Sequence, residues 1–362
     1  MNKMNVPERF KDHPAFTEIH RGMNFGFLAK RGYYSRKDIL AHPKSMAETG
    51  VNWVSLYAGV AQETYHSTRI FQDFEFSPSD SELLNLIDKF HEHGIRVYLK
   101  PCLFPLDGQW MGSVTFPNHG GNIIEGRSRN YWKEWFDSFN DCTLHYADLA
   151  EKSGCESLCV GAEYYGTEGR NEWRDIIASA RSVYSGPVTY EFTPSSRKNY
   201  SLEWFEDLDF LSYSYYPPAG ESPDVLASGW HPGINESDIP KITLEQMIEH
   251  LSSRKEKIRS VSERFGNKPI ALTEIGCRSA LGCSRAPCNF RWETSYDGQE
   301  QADYMEAVFK TFEGEPHWMG LYWWKWDETQ NRPHYHTDPA GDKGFTIQGK
   351  PAAEVLKRHF SK

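Results

Sequence analysis

No run of apolar residues in this chain approaches the roughly 18 to 20 that a membrane-spanning helix requires. Positive charge is not in excess either: 40 Lys and Arg stand against 50 Asp and Glu, a net of −10. Nucleic-acid backbones and anionic membrane surfaces would repel such a chain, so neither is expected as a partner. Cysteine is sparse, seven residues in 362, and the odd count favours reduced thiols. Three of them, Cys277, Cys283 and Cys288, lie close enough in sequence to close a loop disulfide or hold a metal. Their spacing lacks the C-x₂-C pairs of structural zinc sites, and no metal is expected. The first sixteen residues lack the apolar stretch of a signal peptide, so the expectation is a cytoplasmic protein if the chain is complete and a secreted one if a leader has been removed. Repeats, low-complexity tracts and Pro- or Ser-rich linkers are missing too. One domain is therefore expected over residues 1–362, with 1–20 as an N-terminal extension. Aromatic residues, by contrast, are plentiful, with 21 Phe, 19 Tyr and 12 Trp. They serve either as core or as a surface on which something flat can stack.

Short β-branched or aromatic runs recur along the chain, each closed by Gly, Pro or a polar cluster and followed by a helical pattern. The candidate strands are residues 22–28, 51–57, 95–101, 155–163, 186–192, 208–216, 268–276 and 319–327. Helices are expected at 35–49, 79–93, 129–152, 170–184, 201–207, 243–265, 298–313 and 350–360. Ser79 with Glu82 three residues on is a capping box, and Gly94 stands where a helix C′ glycine belongs. Pro43 sits inside the helical pattern at 35–49 and weakens it.

Near-continuous apolar strands suit a parallel sheet covered on both faces. Eight β/α units fit a single (β/α)₈ TIM barrel better than a doubly wound sheet, since no G-x-G-x-x-G follows the first strand. The long segments 58–78, 102–128, 217–242 and 277–297 follow strand C-termini, so enlarged loops are expected at the barrel's C-terminal face.

That face is where a barrel displays its reactive residues, and position therefore filters the acids. Glu163 closes the fourth candidate strand and Glu274 the seventh. Two carboxylates across a cleft are the minimum machinery for glycoside hydrolysis, one donating a proton and the other attacking or activating water. Against this stands a capping or ion-pairing role, with Arg174 or Arg278 as partner. Glu191, at the end of the fifth strand, is the strongest substitute acid. Glu168 and Glu172 read as the start of the next helix, and Asp327 and Glu328 as rim residues. Tyr215 or Tyr216 is placed to hydrogen-bond Glu274. Alternation sends Trp324 and Trp326 to one side of the eighth strand and Trp323 to the other. Trp110 is a second candidate for stacking on a sugar, while Asn24, Lys100 and Arg278 are candidates for binding hydroxyls. The triplet His334-Tyr335-His336 falls late in a loop, which argues against a metal there.

Seven stretches in order carry a family resemblance: HEHGIRVYLKP (91–101), CVGAEYYGTEGRNEWRDIIASAR (159–181), GPVTYEF (186–192), LDFLSYSYYPP (208–218), PIALTEIG (269–276), GLYWWKWD (320–327) and FTIQGKPAAEVL (345–356). Together they resemble glycoside hydrolase family 113, a group of β-1,4-mannanases within the clan A retaining enzymes. The resemblance implies Glu163 as acid/base and Glu274 as nucleophile, Trp324 as a sugar platform, no cofactor, and mannan or glucomannan as substrate. It leaves open another β-linked gluco-, galacto- or amino-sugar, or a carbohydrate-binding barrel without turnover. One departure is visible: wider clan A often has Asn before the acid/base, where this chain has Ala162.

Overall fold

The eight strand signals close into one cylinder in a computed structural model that describes residues 4–117, 123–124, 127–193, 202–221, 235–290, 294–329 and 342–361. The strands are β1 (His20–Phe25), β2 (Trp53–Gln62), β3 (Arg96–Pro105), β4 (Ser157–Ala162), β5 (Val188–Phe192), β6 (Leu211–Ser214), β7 (Ile270–Ile275) and β8 (Trp318–Trp323). All neighbours pair in parallel, and β1 pairs with both β8 and β2, which closes the sheet. The architecture is a (β/α)₈ barrel.

Strands β2 and β3 run further than the apolar pattern indicates, through Gln62 and Pro105, because they pair over ten consecutive registers from Trp53–Arg96 to Gln62–Pro105. The loops expected from 58 and 102 consequently start later. Register in that ladder sets Tyr57 beside Lys100. An additional short strand, Ile70–Phe71, pairs antiparallel with the end of β2.

Helices α1 (His42–Glu48), α2 (Asp80–Glu92), α3 (Tyr131–Ser153), α4 (Trp173–Val183), α5 (Leu244–Arg264), α6 (Gly298–Phe312) and α7 (Pro351–Phe360) surround the strands. The pattern at 35–49 resolves into a short turn at Ile39–Ala41 followed by α1. Pro43 lies in the first turn of α1, where its missing N–H costs nothing, so it starts the helix rather than breaking it. The segment expected as a helix at 201–207 is a 3₁₀ turn over Glu203–Asp207. Among the described residues no helix is long and apolar enough to cross a membrane.

Helix α2 begins with the expected capping box, Ser79 bonding the Glu82 amide and Glu82 returning to the Ser79 amide. Gly94 follows it at φ +72°, a conformation that a side chain would strain. Glu82 also accepts the Gly32 amide at 2.6 Å, so the box ties α2 to the loop after β1. Ser79→Ala should lower stability by about 1 kcal/mol, read as a drop in thermal midpoint without loss of helical circular dichroism at 25 °C.

The aromatic load finds its first explanation between β4, β5, α3 and α4. Trp135, Trp173, Trp204, Tyr164 and Tyr190 are fully buried there, with Trp173 stacked on Trp204 at 5.5 Å and on Tyr164 at 6.1 Å. Their polar ends hold the chain that follows β4. The Tyr190 hydroxyl accepts the Tyr164 amide at 2.9 Å, and the indoles of Trp173 and Trp204 donate to the carbonyls of Thr167 and Glu168. Large rings with one polar handle therefore fix the loop on which Glu163 stands.

Candidate active site

Glu163 is the first residue after β4, and its backbone turns left-handed at φ +58°. That conformation is unusual for a residue with a Cβ and is held by neighbours, among them the Glu163 amide donating to the Glu191 carbonyl at 2.9 Å. Its carboxylate accepts a hydrogen bond from Thr193 Oγ1 at 2.7 Å. Burial, then the charge of Glu274, raises its pKa above the usual carboxylate range.

Glu274 lies near the end of β7, opposite Ser214 of β6, where the β6–β7 and β7–β8 registers both shift. Its Oε1 accepts from the Tyr57 hydroxyl and from Lys100 Nζ, the latter at 2.7 Å. Its Oε2 accepts from the Tyr216 hydroxyl at 3.0 Å and from Ser214 Oγ at 3.3 Å. Burial alone would raise its pKa, but the Lys100 charge and the hydrogen bonds of Lys100, Tyr57 and Tyr216 outweigh it and the pKa falls. Ser214 also faces Glu163 and eases the rise of its pKa, so one serine stands beside both carboxyl groups. Two acids that share a cleft while their environments drive their pKa values apart form the pattern of an acid paired with a nucleophile.

Tyr216, rather than Tyr215, reaches Glu274 with its side chain. Tyr215 gives only its amide to the Glu274 carbonyl, at 2.8 Å, while its ring packs edge-on against Phe312 of α6. Tyr216→Phe should lower kcat by roughly tenfold to a hundredfold and move the acid limb of the pH–rate profile upward, because Glu274 loses a donor to its charged form. An unchanged acid limb in steady-state kinetics would contradict this.

Trp324 stands against the same cluster, edge-on to Phe27 at 4.8 Å and to Tyr57 at 5.8 Å. Gly276 makes room for it: a Cβ there would lie 2.4 Å from the Trp324 carbonyl oxygen. Trp323 points the other way, into the packing beside Tyr304 of α6. Trp326 does not join Trp324 but donates its indole N–H to His42 of α1 at 3.1 Å.

The remaining sequence candidates separate. Lys100 is fully buried beneath Glu274 and bonds Tyr57, Glu191 and Glu274, which leaves it no role on an exposed sugar hydroxyl. Asn24 is equally buried and donates to the carbonyls of Thr273 and Tyr322, at 2.9 and 3.2 Å, tying β1 to β7 and β8. Arg278 is buried with its Nε on the Lys343 carbonyl at 3.0 Å, so it anchors the chain after β8. Trp110 is half exposed on the loop after β3, with its ring 6.1 Å from Tyr165, whose amide bonds the Glu163 carbonyl. Glu191, the substitute acid, is fully buried on Lys100 and Thr273 and has no path to a substrate.

Tyr57, Ser214, Thr193 and Phe27 are site residues that sequence reasoning missed. Tyr57 ends the second apolar run, where it reads as packing, and only its register beside Lys100 gives it away. Of the clustered thiols, Cys277 and Cys283 are buried with their sulfurs 3.3 Å apart, Cys288 is exposed, and all three are free. Among the described residues no group of His, Cys, Asp and Glu could hold a metal ion. The triplet at 334–336 lies outside the described residues.

The sequence matches the model of Glycoside Hydrolase Family 113 over residues 23–350. A β-mannanase of that family from Alicyclobacillus acidocaldarius, solved in complex with ManMIm, is 29% identical and superposes with a TM-score of 0.77 over 96% of this chain and 98% of that one. A complex structure of another family 113 β-1,4-mannanase is 26% identical, with the same TM-score, over 96% of this chain and 100% of that one. A family 5 mannosidase from Rhizomucor miehei, 13% identical with a TM-score of 0.66, covers 100% of this chain and 97% of its own, a likeness of fold alone. Comparison with curated proteins gave no match.

Proposed function

The chain belongs to glycoside hydrolase family 113 and is a glycoside hydrolase, and from that premise we propose that it cleaves β-1,4-mannosidic linkages in mannan or glucomannan with retention of configuration. The observation that carries this reading is the pair of strand-end glutamates on either side of Ser214, one among several donors and the other with few, so that their pKa values move in opposite directions. Both carboxyl groups lie beside one serine, which agrees with the ~5 to 5.5 Å separation of retaining enzymes.

In the first step a Glu274 oxygen forms a bond to the anomeric carbon as the glycosidic bond breaks, and Glu163 gives its proton to the departing oxygen. In the second, Glu163 takes a proton from water, the hydroxide adds to the anomeric carbon, and the ester to Glu274 breaks. The raised pKa of Glu163 keeps its proton available, and the donors around Glu274 keep it ionised. Trp324 supplies a flat apolar face beside this centre, and Trp110 a more distant one.

The test has two parts. Reducing-sugar release across mannan, glucomannan, xylan, cellulose and chitosan should be greatest on the first two. Proton NMR of the first product should show the β-anomer before mutarotation. An α-anomer formed first would overturn retention, and preference for another polymer would overturn the substrate.

A further inference from the structure

Beneath the nucleophile lies a buried carboxyl group that the mechanism above does not use. Glu191 on β5 and Glu274 on β7 both bond Lys100 of β3, and no side chain of the three is appreciably exposed. One ammonium thus serves two carboxylates in a space without solvent. With both acids ionised the cluster would carry an uncompensated negative charge, which a buried site resists.

The donors decide which acid yields. Among the described residues Glu274 accepts from Tyr57, Lys100, Tyr216 and Ser214, whereas Glu191 accepts only from Lys100 and from Thr273 Oγ1, the latter at 2.5 Å. Glu191 is therefore the one that keeps a proton. Thr273 is the residue before the nucleophile, so Glu191 touches that strand end from two sides. The Thr273 hydroxyl continues to Ser212 Oγ at 2.6 Å and thence to the Tyr98 hydroxyl at 3.1 Å, a chain able to reorient as the proton comes or goes.

We propose that Glu191 is a positioning residue that acts through Lys100: by competing with Glu274 for a single buried cation, it sets how much positive charge the nucleophile feels. This rests on the reading of Glu274 as nucleophile. When Glu191 loses its proton it draws Lys100 toward itself, and Glu274, less neutralised, becomes the stronger nucleophile. Burial, with the charge of Glu274, raises the Glu191 pKa to about 8 against the opposing pull of Lys100. Glu163, replaced in the experiment below, faces Glu274 and Lys100 from the end of β4; among the described residues the other titratable groups facing this cluster are Tyr57 of β2, Tyr98 and Cys102 of β3, Cys159 of β4 and Tyr216 after β6. Burial raises the pKa of each, so they stay neutral and only Lys100 and Glu274 carry charge beside Glu191.

The experiment uses 2,4-dinitrophenyl 2-deoxy-2-fluoro-β-mannobioside, whose leaving group needs no proton, and reads the rate at which it traps the enzyme across pH. Glu163→Gln is present throughout, so the acid/base carboxyl does not titrate. The trapping rate should rise by roughly threefold or more through pH ~8, and Glu191→Gln should flatten the profile. Should Glu191→Gln fail to fold, Thr273→Val removes the other partner of Glu191 and should move the rise to higher pH. A parent profile without the rise, or a rise that persists in Glu191→Gln even with all rates slowed, overturns the proposal. Peptide mass analysis separates the two readings: a label on a residue other than Glu274 contradicts the nucleophile assignment instead.

Discussion

Glu274→Gln is expected to lower turnover of β-1,4-mannan by about 10⁴-fold or more, while affinity for mannooligosaccharides stays within a fewfold of the parent. The substitution is nearly isosteric: with the amide oxygen at the Oε1 position it still accepts from Tyr57 and Lys100, and the amide N–H₂ at the Oε2 position donates to the hydroxyls of Tyr216 and Ser214, which turn from donors to acceptors. What is lost is the charge proposed to attack the anomeric carbon. Removing that charge also frees Lys100 for Glu191, whose pKa should fall, so the cluster remains compensated and the fold should persist. Stopped reducing-sugar assays give the turnover, and isothermal titration with an oligosaccharide gives the affinity. Turnover near that of the parent would remove Glu274 from the chemistry. A matching loss of binding would assign it to substrate affinity alone.

How much of this site was legible in the sequence depends on what each residue's neighbours reveal. Glu163 and Glu274 stand out because a long apolar run ends at each, and in a parallel barrel that boundary is the reactive rim. Eight such runs also announce the barrel, since each is buried on both faces. Side-chain direction at the rim is another matter. Alternation holds along a regular strand, but the register of β7 shifts on both sides around Thr273 and Glu274. Counting parity past that point is unsafe, and accordingly Tyr215 and Tyr216 could not be told apart, while Trp326 parted from Trp324 to meet His42. Lys100 shows a different limit. A lysine in an apolar strand signals something polar inside, yet only the pairing of β2 with β3 and the far side of the barrel show two carboxylates sharing it. Arg278, also charged beside a strand end, turns away to the chain after β8, which no local pattern records. Ser214 carries no signal of its own, because a serine in a strand is ordinary until two acids meet over it.

Glu163→Ala should separate the two steps of the reaction. Hydrolysis of mannan needs a proton on a poor leaving group, so its rate should fall by ~10² to 10⁴-fold. An aryl mannobioside with a dinitrophenolate leaving group needs none, so its first step should run close to the parent rate and the glycosyl-enzyme should accumulate. The alanine leaves space beside the anomeric carbon, and Thr193 loses the acceptor it held at 2.7 Å. Azide, a nucleophile that requires no general base, should enter that space and restore turnover, with a β-mannobiosyl azide as product. The pH profile supplies the independent check. In the parent the raised pKa of Glu163 should set the alkaline limb, where activity is expected to fall as pH climbs through that value and the proton leaves. Glu163→Ala should lose this limb and keep the acid one, where activity falls as Glu274 takes up a proton at its lowered pKa. Equal loss on both substrates, without azide rescue and with the alkaline limb intact, would move the proton donor elsewhere. The buried position of Glu191 on Lys100 means that it is not the one to take over.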